Sequence, residues 1–239
     1  MAGNRFDQWK KGLKDGIPIC LGYLAVSFTF GITAVQAGLS ALQATIMSTT
    51  NYTSAGQFAA VGLIIAGAPY LELALAQLVI NLRYCLMSAA LSQKIQPSVP
   101  LRHRLLMAFG ITDEIFGVSV LREGILSPYY VYGLMSAAMP GWTAGTLLGG
   151  IMRGLLPPRL QSALGIAIYG MFIAVIIPPV RKNKTLLALV LVSMAASALM
   201  QVTPILQNIS GGFRIILLTL VLSAIAAVCF PVKEESHEL

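Results

Sequence analysis

The chain has 239 residues, of which 56% are hydrophobic and only 10% are Asp, Glu, Lys or Arg, and its formal net charge is +7. A soluble domain has about a quarter of its residues charged, so this composition, with a mean hydropathy of +0.78, excludes an ordinary soluble core and indicates a membrane protein. The positive charge does not indicate nucleic acid, because the basic residues stand at the ends of apolar segments, where they orient a chain in a bilayer.

Gaps in charge mark the segments. No Asp, Glu, Lys or Arg occurs within 16–71, 124–152, 160–180 or 185–213, and a membrane-spanning helix needs roughly 20 apolar residues. Arg5, Lys10, Lys11 and Lys14 precede "GIPICLGYLAVSFTFGITAVQAGLS" at 16–40. That run is too long for a cleaved signal and reads as a retained first span near 17–37. Further helical segments are expected near 41–66, 69–92, 104–121, 129–152, 160–178, 185–203 and 213–231. Pro, Gly and basic residues separate them, as in "APY" (68–70), "IQPSVPLRHR" (95–104), "LLPPR" (155–159) and "IPPVRKNK" (177–184). The expected organisation is a cytoplasmic N-terminal segment (1–15), one transmembrane transport domain (16–232) and a polar tail (233–239).

The second and fourth segments have polar centres, "MSTTNYTSAGQ" (47–57) and "GITDEIFG" (110–117). If both cross, the chain has eight spans and Lys94, Arg102 and Arg104 lie outside. If each enters and leaves on one side, six spans remain and those three residues join the N-terminus inside, which sharpens the positive-inside bias. Both termini are inside either way. Broken helices are tolerated where they line protein or a water-filled cavity. Their similar spacing in the two halves hints at a repeat, a transporter plan in which substrate binds at mid-membrane where half-helix ends meet. The fold class is therefore an all-α polytopic integral membrane protein with six to eight transmembrane segments, two of them broken or re-entrant, and signs of an inverted repeat.

The polar residues inside these segments are the functional candidates. Thr50, Asn51 and Gln57 belong to the first cluster, where an unwound turn with free amides and carbonyls could hold a zwitterion. The alternative is helix–helix adhesion by Ser and Thr. Asn81 and Arg83 stand in "VINLRYCLM". Arg83 lies eleven residues before Lys94, about 16 Å along a helix, which is deep for simple snorkelling. Its partner could be Glu72, Asp113, Glu114 or a substrate carboxylate. Asp113 and Glu114 are neighbours, so on a helix their side chains diverge by about 100° and do not form an acid/base dyad. One can meet a cation while the other faces water or a proton. Thr112 before them is a candidate N-cap for a helix that restarts there.

Gly141, Gly145 and Gly149 form a small-residue stripe suited to close packing. Cys20, Cys85 and Cys229 sit in separate apolar segments without metal spacing. The two histidines, His103 and His237, have no ligand partners in sequence. There is no phosphate-binding loop or dinucleotide motif. An enzyme is therefore not expected, nor a cofactor or metal.

Taken in order, "GIPICLGYLAVSFTFGITAVQAGLS", "SAGQFAAV", "NLRYCLM", "TDEIFGVS" and "GWTAGTLLGG" resemble the AzlC family, the large subunit of two-component branched-chain amino acid exporters. The resemblance covers about 10–200. It implies proton-coupled secondary export of valine, leucine, isoleucine and, as a further candidate, methionine, across a bacterial inner membrane, with a small AzlD-type membrane subunit as partner. It places the family's motifs on Gln57, on Asn81 and Arg83, on Thr112, Asp113 and Glu114, and on Gly141, Trp142, Gly145 and Thr146. Two positions depart from the family pattern: "YTS" at 52–54, where Phe-Ala-Gly is common, and Tyr84, where many members have His. The competing expectations are an assembly subunit whose polar centres bind a partner helix, and a passive channel.

Overall fold

The computed structural model of the chain describes residues 4–155, 183–203 and 209–230, with isolated positions 157, 159, 173, 177, 180 and 181. Nearly all of the segment expected near 160–178, and the tail 233–239, lie outside the described residues. The regular secondary structure of the described residues is all helical, and the chain forms two compact units, Met1–Ile65 with Asn81–Ile168, and Ala66–Ile80 with Tyr169–Leu239.

The first helix, α1, runs Arg5–Gln36 and starts twelve residues earlier than its apolar content suggests. Asn4 caps it by accepting from the Phe6 amide, and Asp7 complements the first turn. The charged stretch that reads as a tail is therefore the first part of the same helix. Four further helices alternate with loops: α2 (Ala41–Thr50), α3 (Ala55–Ile65), α4 (Tyr70–Ser92) and α5 (Leu101–Phe109). Then follow α6 (Asp113–Val120) and α7 (Pro128–Met152), the latter extended by a short 3-10 turn.

The spine of the first unit is α1 against α7. Gly12 backs onto Tyr130, Gly16 onto Leu134 and Ala137, Gly141 onto Cys20, Gly145 onto Leu24 and Ser27, and Gly149 onto Phe28. A Cβ at any of these would collide with the facing helix. Numbering rises together along both helices, so they run parallel. Lipid supplies no hydrophobic drive between helices, and close backbone approach with dense dispersion contact is what holds such a pair. The stripe expected at Gly141, Gly145 and Gly149 is half of a two-sided seam that Gly12, Gly16, Gly31 and Gly133 complete.

The polar-centred segments are both helical hairpins. Ser40 opens α2 with a capping box to Gln43. Residues 51–54 are non-helical, and Ser54 takes a positive φ of 48°. Ala44 at the start of α2 and Val61 on α3 both pack with Phe30 and Ala34 of α1. The hairpin therefore enters from the C-terminal end of α1 and returns there.

The α5–α6 hairpin comes from the other end. His103 at its start hydrogen-bonds Tyr132 (2.8 Å) near the beginning of α7. At its finish Lys94 Nζ donates to the Val120 carbonyl (2.6 Å) and to that of Arg122. Arg122 donates to Gln8 on α1 (2.8 Å) and lies 3.8 Å from the Tyr130 ring, while Tyr130 donates to Asp15 (2.8 Å). Lys94, which follows α4, thus sits beside the starts of α1 and α7, so the Asn81–Ser92 part of α4 runs antiparallel to both.

In the second unit, α8 (Lys184–Val202) packs on α9 (Gly211–Cys229). The Asn183 side chain caps α8 and the Ser210 side chain caps α9. Four described helices, α1, α4, α8 and α9, are long and apolar enough to cross a membrane, and the chain is an all-α polytopic membrane protein. At 25 residues α7 is also long enough to cross and carries no charge; it has the most buried positions of any described helix, so protein rather than lipid surrounds much of it.

Candidate functional site

The α5–α6 turn carries the charge. Thr112 is extended and its hydroxyl accepts from the Ile115 amide (3.3 Å), which starts α6 immediately after the break. Asp113 and Glu114 therefore fall in the first helical turn, where free N–H groups favour carboxylates. The turn of the helix separates them. Asp113 meets Arg83 at 2.6 Å. The Arg83 guanidinium also lies over the Tyr84 ring, 4.9 Å from its centroid, and donates to the Tyr84 hydroxyl (3.2 Å). Arg83 and Asp113 keep 36% and 32% of their side-chain surface open, so the pair is not sealed in the core. The Arg83 Nε is buried without an acceptor.

Glu114 turns the other way, to α1. The Tyr23 hydroxyl reaches Glu114 at 2.5 Å and the Thr112 hydroxyl at 2.6 Å. Among the described residues no Lys, Arg or His pairs with Glu114. Among the described residues, one carboxylate of the adjacent pair is neutralised and the other is held by a phenol.

The α2–α3 turn is neutral. Gln57 is fully buried: its Nε2 donates to Ser48 (2.9 Å) and its Oε1 accepts from Trp142 Nε1 (3.0 Å). Ser48 in turn pairs with Thr146 (2.8 Å), and Thr146 donates to the Trp142 carbonyl (3.1 Å). The Tyr52 hydroxyl pairs with Thr143 (3.1 Å). Two edge-on ring contacts join the turns, Tyr52 on Phe109 (5.8 Å) and Tyr23 on Trp142 (5.3 Å). A connected path thus runs from Glu114 through Tyr23 and Trp142 to Gln57 and Ser48.

Of the residues singled out in the sequence, Arg83, Thr112, Asp113 and Glu114 come together. Gln57 sits in the neutral network beyond Trp142. Thr50 is exposed at the end of α2 with its hydroxyl on the Ile46 carbonyl (2.8 Å), and Asn51 is the half-buried residue closing α2. Asn81 is half-buried on α4, two residues before Arg83 and so on another face of the helix. Glu72, one of the expected candidate partners of Arg83, is buried and accepts from Ser210 and from the Gly212 amide (3.0 Å) at the start of α9. The residue that sequence reasoning passed over is Tyr23, whereas Ser48 belongs to the polar cluster at 47–57. Tyr23 lies on the buried α1 stripe of Tyr23, Ser27, Phe30 and Ala34, and a hydroxyl on such a stripe is the signal that could have found it. The three cysteines are free, and among the described residues no group of three His, Cys, Asp or Glu could hold a metal ion.

A protein-family profile described as AzlC protein matches residues 18–156. The chain is similar to the inner membrane protein YgaZ of Escherichia coli (strain K12), 27% identical over 185 residues, 74% of this chain and 75% of that one. It is also similar to an uncharacterized membrane protein of Archaeoglobus fulgidus, 32% identical over 173 residues, 71% of this chain and 75% of that one. A Helicobacter pylori membrane protein (strain ATCC 700392 / 26695), also uncharacterized, is 28% identical over 153 residues, 61% of this chain and 66% of that one. No solved structure matches.

Proposed function

The chain belongs to the AzlC family, and on that premise we propose that it is a secondary carrier exporting valine, leucine, isoleucine and, as a further candidate, methionine, with protons as the coupling ion. Family membership supports a role in the membrane transport of small molecules. The small AzlD-type subunit is the proposed partner, and the bacterial inner membrane, with both termini cytoplasmic, the proposed location.

In this reading the two hairpins are re-entrant from opposite faces. Their half-helices have 8 to 11 residues, about 12–16 Å at the helical rise and half of a ~30 Å hydrocarbon core. Arg122 and Lys94 gather beside the basic start of α1, which the positive-inside bias assigns to the cytoplasm. The α5–α6 hairpin then enters from inside, the α2–α3 hairpin from outside, and their turns meet near mid-membrane. That favours the six-span arrangement over the eight-span one, and it gives the inverted repeat a physical form.

The observation that carries the proposal is the split of the acidic pair. Asp113 is neutralised by Arg83, whereas among the described residues Glu114 meets the Tyr23 hydroxyl and no cation. A carboxylate without a cation at mid-membrane can take a proton or a substrate ammonium, in exchange. Arg83, with Nε unused, can take the substrate carboxylate. Gln57, its amide engaged at both ends, positions the neutral turn. The test is leucine efflux from proteoliposomes holding the chain with its small subunit. Glu114→Gln is expected to remove proton-driven uphill efflux by about 100-fold or more, the range typical of losing a positioned proton-transfer group. Unchanged efflux by this variant would sink the assignment.

A further inference from the structure

The second unit contains an arginine that the proposed carrier site leaves unused. Between α8 and α9 lies a cavity of about 220 Å³ whose lining includes Ser197, Met200, Gln201, Arg214, Ile215 and Leu218. That is room for about seven waters at about 30 Å³ each. Arg214 is the one charged residue of α9, and it stands in the first turns of that helix, the end where the helix dipole disfavours a cation. Its Nε is buried without an acceptor, and among the described residues no carboxylate lies within ion-pair distance. Glu72 reaches the same helix start but is spent on Ser210 and the Gly212 amide. A buried guanidinium N–H with no acceptor among the described residues, beside a cavity with polar and apolar walls, suits an anionic oxygen as its partner.

We propose that this cavity binds a single oxyanion carrying an apolar flank. Arg214, with Ser197 and Gln201, receives the charged oxygens, and Met200, Ile215 and Leu218 receive the flank. Two sources supply that chemistry, the phosphate of a membrane phospholipid and the carboxylate of a free apolar amino acid. The surrounding helices suit either one: α8 and α9 expose Leu191, Met194, Leu217 and Ile225 along their length, so acyl chains have a surface to follow.

The experiment uses the purified full chain and two ligands. Dioleoyl phosphatidylglycerol is followed by native mass spectrometry. Leucine is titrated in an Arg83→Ala, Asp113→Asn, Glu114→Gln background, which removes both the carboxylate-binding and the ammonium-binding groups of the central site from the reading, with leucine amide as the control that lacks the carboxylate. One of the two ligands is expected to bind. Arg214→Gln should weaken it at least tenfold, the usual effect of losing a charge-assisted hydrogen bond, and Arg214→Lys should retain part of the affinity. Ser197→Leu fills the cavity without removing the charge and should also weaken binding at least tenfold, which keeps the proposal testable if Arg214 variants fold poorly. Absence of binding by both ligands overturns it. So does equal binding by the wild-type chain, Arg214→Gln and Ser197→Leu, and so does leucine amide binding as well as leucine where leucine is the ligand.

Discussion

At the α2–α3 turn the polar side chains that reach the core are neutral, with Gln57, Ser48, Thr146 and Trp142 bonded in series and the Thr53 hydroxyl buried with no partner among the described residues. At the α5–α6 turn the chain places two carboxylates, and among the described residues only one is neutralised. Both turns interrupt a helix inside the apolar part of the chain, where freed backbone groups must find partners. The neutral turn meets this with an amide–hydroxyl network that fixes it against α7. The charged turn meets it with the Thr112 cap and a free first turn that favours negative charge. On the proposed function, the difference separates a fixed support from a reactive element within one chain.

The largest effect should come from making the two turns alike. Gln57→Glu puts a carboxylate into a fully buried position whose neighbours are hydroxyls and the Trp142 N–H. Burying an unpaired charge costs several kcal/mol, so the variant should fail to accumulate or should unfold well below the wild type by thermal denaturation in detergent. Equal stability would mean that the neutral turn is as open as the charged one. The next effect concerns the ion pair. Arg83→Ala leaves Asp113 and Glu114 both without a cation; with about a third of each partner's side chain open the loss should be about 1–2 kcal/mol, between an exposed and a buried pair, while Arg83→Ala with Asp113→Asn should recover most of the stability but no transport. A double variant no more stable than Arg83→Ala would show that the Arg83–Asp113 contact does not hold the turn.

Much of this contrast can be read in the sequence, and what cannot is long-range. The polar centres at 47–57 and 110–117 coincide with the non-helical stretches, because a run of Ser, Thr and Asn offers the backbone local alternatives to the helix and Thr112 has the chemistry of a cap. The divergence of Asp113 and Glu114 follows from helical geometry alone. The glycine stripe of α7 announces a close contact by its spacing, but not that α1 answers it with Gly12, Gly16 and Gly31. The choice of Asp113 by Arg83 could not be read either. Glu72 is out of reach on the same helix, eleven residues or about 16 Å before Arg83, but nothing local in the sequence chooses between Asp113 and Glu114. Tyr23 is invisible for the same reason: its partners lie 89 and 91 residues on. The helical start at Arg5 is hidden because its charges mimic a solvated tail, although Gly12 and Gly16 are buried against α7.

Smaller changes sharpen the comparison by separating shape from chemistry within the charged turn. Thr112→Val keeps the side-chain outline but removes the cap to the Ile115 amide and a hydroxyl beside Tyr23. Losing an N-cap costs about 1 kcal/mol, so thermal stability should fall modestly, and efflux should fall with it as the first turn of α6 loosens. Tyr23→Phe keeps the ring edge-on to Trp142 and removes only the hydroxyl that reaches Glu114. A lost hydrogen bond to a charged group is worth about 1.5–3 kcal/mol before any replacement by water. The side chain is buried, but Glu114 itself is only half-buried, so a water or the substrate ammonium can take the place of the phenol. Stability should therefore change least among the four single variants, while the maximal rate of leucine efflux falls about tenfold at an unchanged half-saturating leucine concentration. That pattern would assign Tyr23 to orienting Glu114 rather than to holding substrate. A raised half-saturating concentration at an unchanged maximal rate would instead make Tyr23 a direct substrate contact, and the boundary between support and reactive element would move from the α6 turn onto α1.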